Sequence, residues 1–126
     1  MPKRVLATGV FDVFHAGHLF FLEQARRYGD ELVVLVTSDE VARHESKKPM
    51  FSAKQRASLI KKIGIANTVV IGRGDGDIVK TVKTLAPDVI ALGYDQPMDI
   101  GWLTNLLDRG DWHGTIVRVT KLPSHA

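Results

Sequence analysis

The chain has 126 residues, 44% of them hydrophobic and 25% charged, with no cysteine and a formal net charge of +3. This length suits one domain with a real core and is short for two, and the lack of thiols excludes disulfides, thiolate catalysis and thiolate metal sites. No apolar run approaches the roughly 20 residues of a membrane span, and the basic pairs Arg26-Arg27, Lys47-Lys48 and Lys61-Lys62 are separated by acids, which favours local phosphate contacts over a nucleic-acid groove.

From Met1-Pro2-Lys3-Arg4 the sequence passes straight into a strand pattern without the tripartite look of a signal peptide, so the expected compartment is the cytoplasm. In chain order, runs rich in Val, Ile and Leu predict strands at 4–8, 31–37, 68–71, 89–92 and 115–119, all five reading as buried on both faces or nearly so. Segments of helical period alternate with them at 17–28, 39–44, 52–63, 77–85 and 99–108. Ser52 and Gln55 form a Ser-x-x-Gln capping box, and Asp77 and Asp99 are placed as N-caps. Gly29, Gly64 and Gly110 follow helix ends where a left-handed residue is wanted, and Pro87 stops the fourth helix. The alternation implies an α/β fold: a single Rossmann-like domain with a five-stranded parallel sheet and helices on both faces. Ligands bind such sheets beyond the carboxyl ends of the strands, where strand order reverses.

His15-Ala16-Gly17-His18 follows the first strand and the turn Gly9-Val10-Phe11-Asp12, just where that crevice should lie. A helix start presents backbone N–H groups without intrahelical partners and the positive end of the macrodipole, which together attract phosphate. With the helix beginning near Ala16 or Gly17, both imidazoles project from its first turn and can donate to the same phosphate oxygens. Gly17 between them leaves room for a ligand to approach the backbone. Two other readings stand beside this one: ordinary cap and surface histidines, or a metal centre. Zinc wants three or four protein ligands, and the remaining histidines, His44, His113 and His125, lie in three separate segments.

The stretch Glu45 to Phe51 is basic and irregular, and reads either as a solvated loop or as a flap whose Lys47 and Lys48 fold over bound phosphates, with Arg56 helping from the side. Asp95, in Leu92-Gly93-Tyr94-Asp95-Gln96, emerges at the same end of the sheet as the histidines; it can orient a base or ribose, hold a divalent cation, or simply cap its turn. Asp12 can position the first loop or touch the metal or the acceptor. Gly72-Arg73-Gly74-Asp75-Gly76 lacks the spacing of either nucleotide-binding glycine motif and reads as a tight turn. Trp102 and Trp112 read as packing groups, outside the site.

The string Gly9-Val10-Phe11-Asp12-Val13-Phe14-His15-Ala16-Gly17-His18, with Thr37-Ser38-Asp39-Glu40, Lys47-Lys48, Arg56 and Gly93-Tyr94-Asp95, resembles the cytidylyltransferase-like nucleotidyltransferases over most of the chain. Within them it looks most like the archaeal FAD synthases (FMN adenylyltransferases), with the glycerol-3-phosphate cytidylyltransferases next. The resemblance implies nucleotide contacts from Val10, Phe11, His15, Ala16, Gly17 and His18, with Asp95 near the base or ribose, Lys47 or Lys48 over the triphosphate, and Arg56 nearby. It implies a domain over 1–126, Mg²⁺ carried with the triphosphate, and small relatives that are more often dimers than monomers, so a homodimer is expected. Gly64 stands where the cytidylyltransferases carry an arginine. A Ser/Thr-rich phosphate-binding motif opens a late helix in the family, and this sequence reaches Leu122-Pro123-Ser124-His125-Ala126 where it should begin; the expectation is a domain lacking that motif. The implied reaction moves a nucleoside monophosphate from ATP or CTP to a phosphate monoester, FMN first and a polyol phosphate second. A nucleotide-binding module without turnover is the alternative of another class. The chain is far too short for a class I aminoacyl-tRNA synthetase, which shares a similar histidine signature.

Overall fold

A computed structural model describes residues 2–45 and 48–123. Its elements run β1 (Arg4–Gly9), α1 (Ala16–Arg26), β2 (Glu31–Val36), α2 (Asp39–His44), α3 (Ala53–Ile63), β3 (Thr68–Ile71), α4 (Ile78–Leu85), β4 (Val89–Leu92), α5 (Ile100–Arg109) and β5 (Thr115–Arg118). The five strands form one parallel sheet in the order β3-β2-β1-β4-β5, with β1 paired to β2 from Arg4↔Glu31 and to β4 from Val5↔Val89. The winding direction reverses between β1 and β4, which puts the switch point over the end of β1.

Alternation along β1 divides the core. Val5 and Ala7 face Leu22 and Ala25 of α1 and Ala57 and Ile60 of α3. Leu6 points the other way, toward Val82 of α4 and Leu103 and Leu107 of α5. The central strands are the near-continuous apolar runs of a sheet covered on both faces, but β3 and β5 depart from the expectation. Thr68, Ile71 and Thr115 are exposed. Both strands lie at the edges of the sheet and are paired on one side only.

The helix-end signals are largely satisfied. Ser52 Oγ accepts from the Gln55 N–H at 3.2 Å and the Gln55 side-chain Oε1 accepts from the Ser52 N–H at 2.9 Å; Asp77 accepts from Lys80 N–H and Asp99 from Gly101 N–H. Of the three glycines expected to be left-handed, only Gly64 is, at φ 79°. Gly110 has φ −86°, and a Cβ there would lie 2.6 Å from Val79 Cγ1; at Gly29 one would lie 2.7 Å from the Lys3 carbonyl oxygen. These two glycines answer to crowding rather than to backbone sign. Left-handed residues beyond helix ends stand elsewhere, at Ala86 (φ 48°), the C-cap of α4, and at Asp111 (φ 70°), one residue past Gly110 after α5.

A left-handed L-residue costs about 1–2 kcal/mol, and Ala86 is exposed, so its methyl contributes little packing. Ala86→Gly is expected to raise stability by about 0.5–1 kcal/mol, allowing for the extra chain entropy of glycine. A lower denaturant midpoint in the variant would contradict this account of the α4 terminus.

Candidate active site

The histidine pair sits at the switch point, built into the first turn of α1. His15 is the N-cap, with extended backbone (φ −138°), and its Nδ1 accepts the Gly17 N–H at 3.0 Å. His18 reaches back so that its Nδ1 accepts the His15 N–H at 3.2 Å. With Nδ1 of each ring engaged as an acceptor, the ring proton belongs on Nε2, leaving two N–H donors of fixed tautomer. The rings stack with centroids 3.8 Å apart and planes 20° from parallel, and Phe11 meets His18 edge-on at 5.5 Å.

Two expectations change here. The Gly17 N–H is held by the His15 ring rather than offered to a ligand. Gly17 is also needed for that ring: a Cβ would lie 2.9 Å from His15 Cε1. Half-burial beside Phe11 and Phe14, reinforced by the neighbouring His15, pushes His18 down to about 4, with Asp95 and Asp12 pulling weakly the other way. His18 is therefore neutral near pH 7 and donates as an N–H dipole, not as a cation.

The loop leading to the pair is strained. Phe11 (φ 55°) and Val13 (φ 46°) both occupy the left-handed region, which for β-branched Val13 is a true outlier. Phe11 is nonetheless a core residue, 4% exposed and stacked on Phe21 at 6.2 Å. What holds the loop is Arg56. Expected beside the phosphates, this side chain is 1% exposed, and its guanidinium donates to the carbonyls of Val10 (2.7 Å), Thr37 (3.0 Å) and Phe51 (3.0 Å) and to the Asp39 carboxylate (2.9 Å). It is a positioning residue: helix α3 delivers it beneath the loops, where every bond it makes is to the protein. Asp12, by contrast, takes the first of its expected roles. Its carboxylate accepts the Met50 and Phe51 N–H groups at 2.8 and 3.1 Å, bonds that hold it below the usual carboxylate range and tie the first loop to the residues just ahead of α3. Asp39 is lowered chiefly by the Ala53 N–H and also by Arg56.

A cleft of about 1230 Å³ opens over the carboxyl ends of the strands. Of the residues singled out in the sequence, it brings together Val10, Phe11, Asp12, His15, Gly17, His18, Lys48 and Asp95; Ala16 and Arg56 are not in its wall, and Lys47 lies outside the described residues. Gly72, Arg73 and Gly76 do form a tight turn, closed by the Gly76 N–H on the Arg73 carbonyl at 3.2 Å and by a two-pronged Arg73–Asp75 pair, and this turn lines the rim.

Several contributors were not visible in sequence. Gln96 accepts from the Gly93 N–H at 2.6 Å and donates to Thr8 Oγ1 at 3.3 Å, fixing the β4–α5 loop to the end of β1. Arg118 donates to the carbonyls of Gly93, Gln96 and Met98 in the same loop; its signal was a lone arginine in the apolar run Thr115 to Val119. Trp112 packs as expected, its indole N–H on the Pro87 carbonyl at 2.7 Å, whereas Trp102 is 55% exposed and lines the cleft. Trp102 could have been singled out because it falls off the Leu103–Leu107 stripe that faces the core.

Known proteins match the same frame. A sequence model of the cytidylyltransferase-like family covers residues 6–121. The chain belongs to this family. Similar cytidylyltransferase-like proteins include the FAD synthases of Thermoplasma volcanium and Methanohalophilus mahii, each 41% identical over 118 residues, or 94% of this chain and 82% of the relative. The solved structure of a lipopolysaccharide core biosynthesis protein from Thermoplasma volcanium superposes with a TM-score of 0.94 at 39% identity, covering 98% of this chain and 100% of that one. A pantoate-beta-alanine ligase from Francisella tularensis, at 10% identity and TM-score 0.67, shares the fold. Among the described residues of this cytidylyltransferase-like domain, no helix is long and apolar enough to cross a membrane.

Two measurements test the geometry. Lysine at 56 keeps the charge but cannot reach acceptors spread around a planar fork, so Arg56→Lys is expected to lose about 2–3 kcal/mol of stability. Unchanged unfolding would mean the guanidinium is not the tie. Between pH 6.5 and about 4 the unfolded chain takes up a proton on His18 that the folded chain resists, so stability falls with pH across that window. Asp12 and Asp39, both lowered, act below it; His113, raised by Asp108 and Asp111, acts above pH 6.5. His18→Asn keeps an acceptor for the His15 N–H without titrating, and its urea midpoint should vary less steeply than wild type from pH 6.5 to 4; equal slopes would contradict the assignment.

Proposed function

We propose that this cytidylyltransferase-like enzyme is an FMN adenylyltransferase: it joins AMP from ATP to the phosphate of FMN and releases pyrophosphate. The observation that carries the reaction is the pair of tautomer-locked N–H donors of His15 and His18 in the wall of the cleft. The choice of ATP and FMN is supported by the similarity to proteins named FAD synthase.

The chemistry asks little of a base. A phosphate monoester has its second pKa near 6, so the attacking oxygen is already ionised at neutral pH. The histidines suit that demand, because the Nδ1 of each ring is already occupied by a backbone N–H, which turns Nε2 outward as the donor. Their work is to donate to the α-phosphate as charge builds on it, beside the N-terminus of α1. Val10 and Gly17 line the phosphate site, Lys48 supplies positive charge from the flap, and Asp95 faces the cleft near the base or ribose. Asp12 and Arg56 fix the flap's far end through Met50 and Phe51. Among the described residues no three His, Cys, Asp or Glu side chains gather as a metal cage. A divalent cation, expected as Mg²⁺, would be carried by the triphosphate in a cleft whose wall includes the Asp95 carboxylate, and would neutralise charge on the departing pyrophosphate.

Pyrophosphate release measured with ATP and with CTP, each against FMN and glycerol 3-phosphate, tests the reading. ATP with FMN should lead, and His18→Ala should lower that turnover by more than about tenfold with the fold intact. Preference for CTP with glycerol 3-phosphate would replace the substrate assignment. Nucleotide binding without turnover in any pairing would leave a binding module, and an unaffected His18→Ala would remove that ring from the mechanism.

A further inference from the structure

The cleft extends well past the histidines and straddles the carboxyl edge of the sheet. On the α1 face its wall is His15, Gly17 and His18; on the opposite face it continues between the N-terminal ends of α4 and α5, lined by Leu35, Ile78, Met98 and Trp102, with Thr81 and Asp99 there already bonded within their own helices. Leu35, Ile78 and Met98 are the half-buried margin of the second core, which makes this lobe apolar. Trp102 lies in the first turn of α5, more than half exposed, while Leu103 and Leu107 of the same helix fill the core. Among the described residues Trp102 belongs to neither core cluster.

In-line transfer sets the incoming oxygen and the departing pyrophosphate on opposite sides of the reacting phosphorus, so the two substrates extend away from it in different directions. The triphosphate is a polyanion and belongs with the helix N-terminus and the flap lysine. An apolar lobe with an exposed indole suits a molecule whose far end is a large, flat, largely apolar ring system. We propose that this lobe is the ring subsite of the acceptor, with the isoalloxazine of FMN stacked on the face of Trp102. This assignment rests on the FMN reading above.

The chain's two tryptophans make the test clean, since Trp112 is packed with its N–H bonded to Pro87. FMN-dependent pyrophosphate release by the wild-type protein is measured first; its absence overturns the FMN reading and this assignment together. Where wild type turns over FMN, Trp102→Ala is expected to raise the KM for FMN by about tenfold, the scale of one aromatic stacking contact, while the KM for ATP and the melting temperature stay near wild type. Titration of FMN without nucleotide should show flavin fluorescence quenched by wild type and much less by the variant, and Trp102→Phe should restore most of the affinity. A rise in the KM for ATP in place of that for FMN would give the lobe to the nucleotide base, and no change in either would leave Trp102 outside the substrate contacts; both overturn the assignment while the adenylyltransfer itself stands.

Discussion

One guanidinium, buried where three loops converge, holds the site in a shape its own residues resist. Phe11 and Val13 are both left-handed, together a cost of a few kcal/mol. Against this, Arg56 makes four hydrogen bonds, each from a charged donor and each of a kind worth about 1.5–3 kcal/mol. Because the bonds end on β1–α1, β2–α2 and the flap, the same side chain sets the position of His15 relative to the carboxyl ends of two strands and to Lys48. Asp12 and Asp39 extend this network, Asp12 accepting the Met50 and Phe51 N–H groups ahead of α3 and Asp39 the N–H of Ala53, the first residue of α3.

The electrostatics of the cleft divide between dipoles and charges. The histidines are half of a mutual capping arrangement, each accepting a backbone N–H from the turn that carries it. That arrangement fixes their tautomer, and burial against Phe11 and Phe14 keeps His18 neutral. Donors of this kind need no reorganisation when charge develops on phosphorus. Full positive charge comes instead from groups at the rim, Lys48 among them, where hydration makes it less costly to keep.

The two faces of the sheet carry two kinds of wall. Helix α1 turns a polar N-terminus to the cleft, and α4 and α5 bring the apolar margin of the second core. Loops after β4 are locked to β1 by Gln96 and to β5 by Arg118, so the cleft floor behaves as one piece with the central strands. The edge strands β3 and β5 are free to be short and partly exposed because neither bears the switch point.

Order and type of every element were legible in the sequence, since a parallel sheet covered on both faces writes itself as apolar runs separated by helical periods. Capping residues such as Ser52, Asp77 and Asp99 act within one turn and could be read the same way, as could the placement of the histidines at a strand-to-helix junction. Arg56 could not. Its partners are 5 to 46 residues away and mostly carbonyls, which every residue possesses and none advertises. Gly17 marks a close approach in the sequence but not its partner, because whether a missing Cβ makes room for a ligand or for His15 depends on a rotamer. Trp102 reads as packing in the sequence because burial depends on which face of α5 meets the sheet. Local chemistry, repeated at fixed spacing, was determined by the sequence alone; which polar groups are buried, and against what, was decided only when distant segments met.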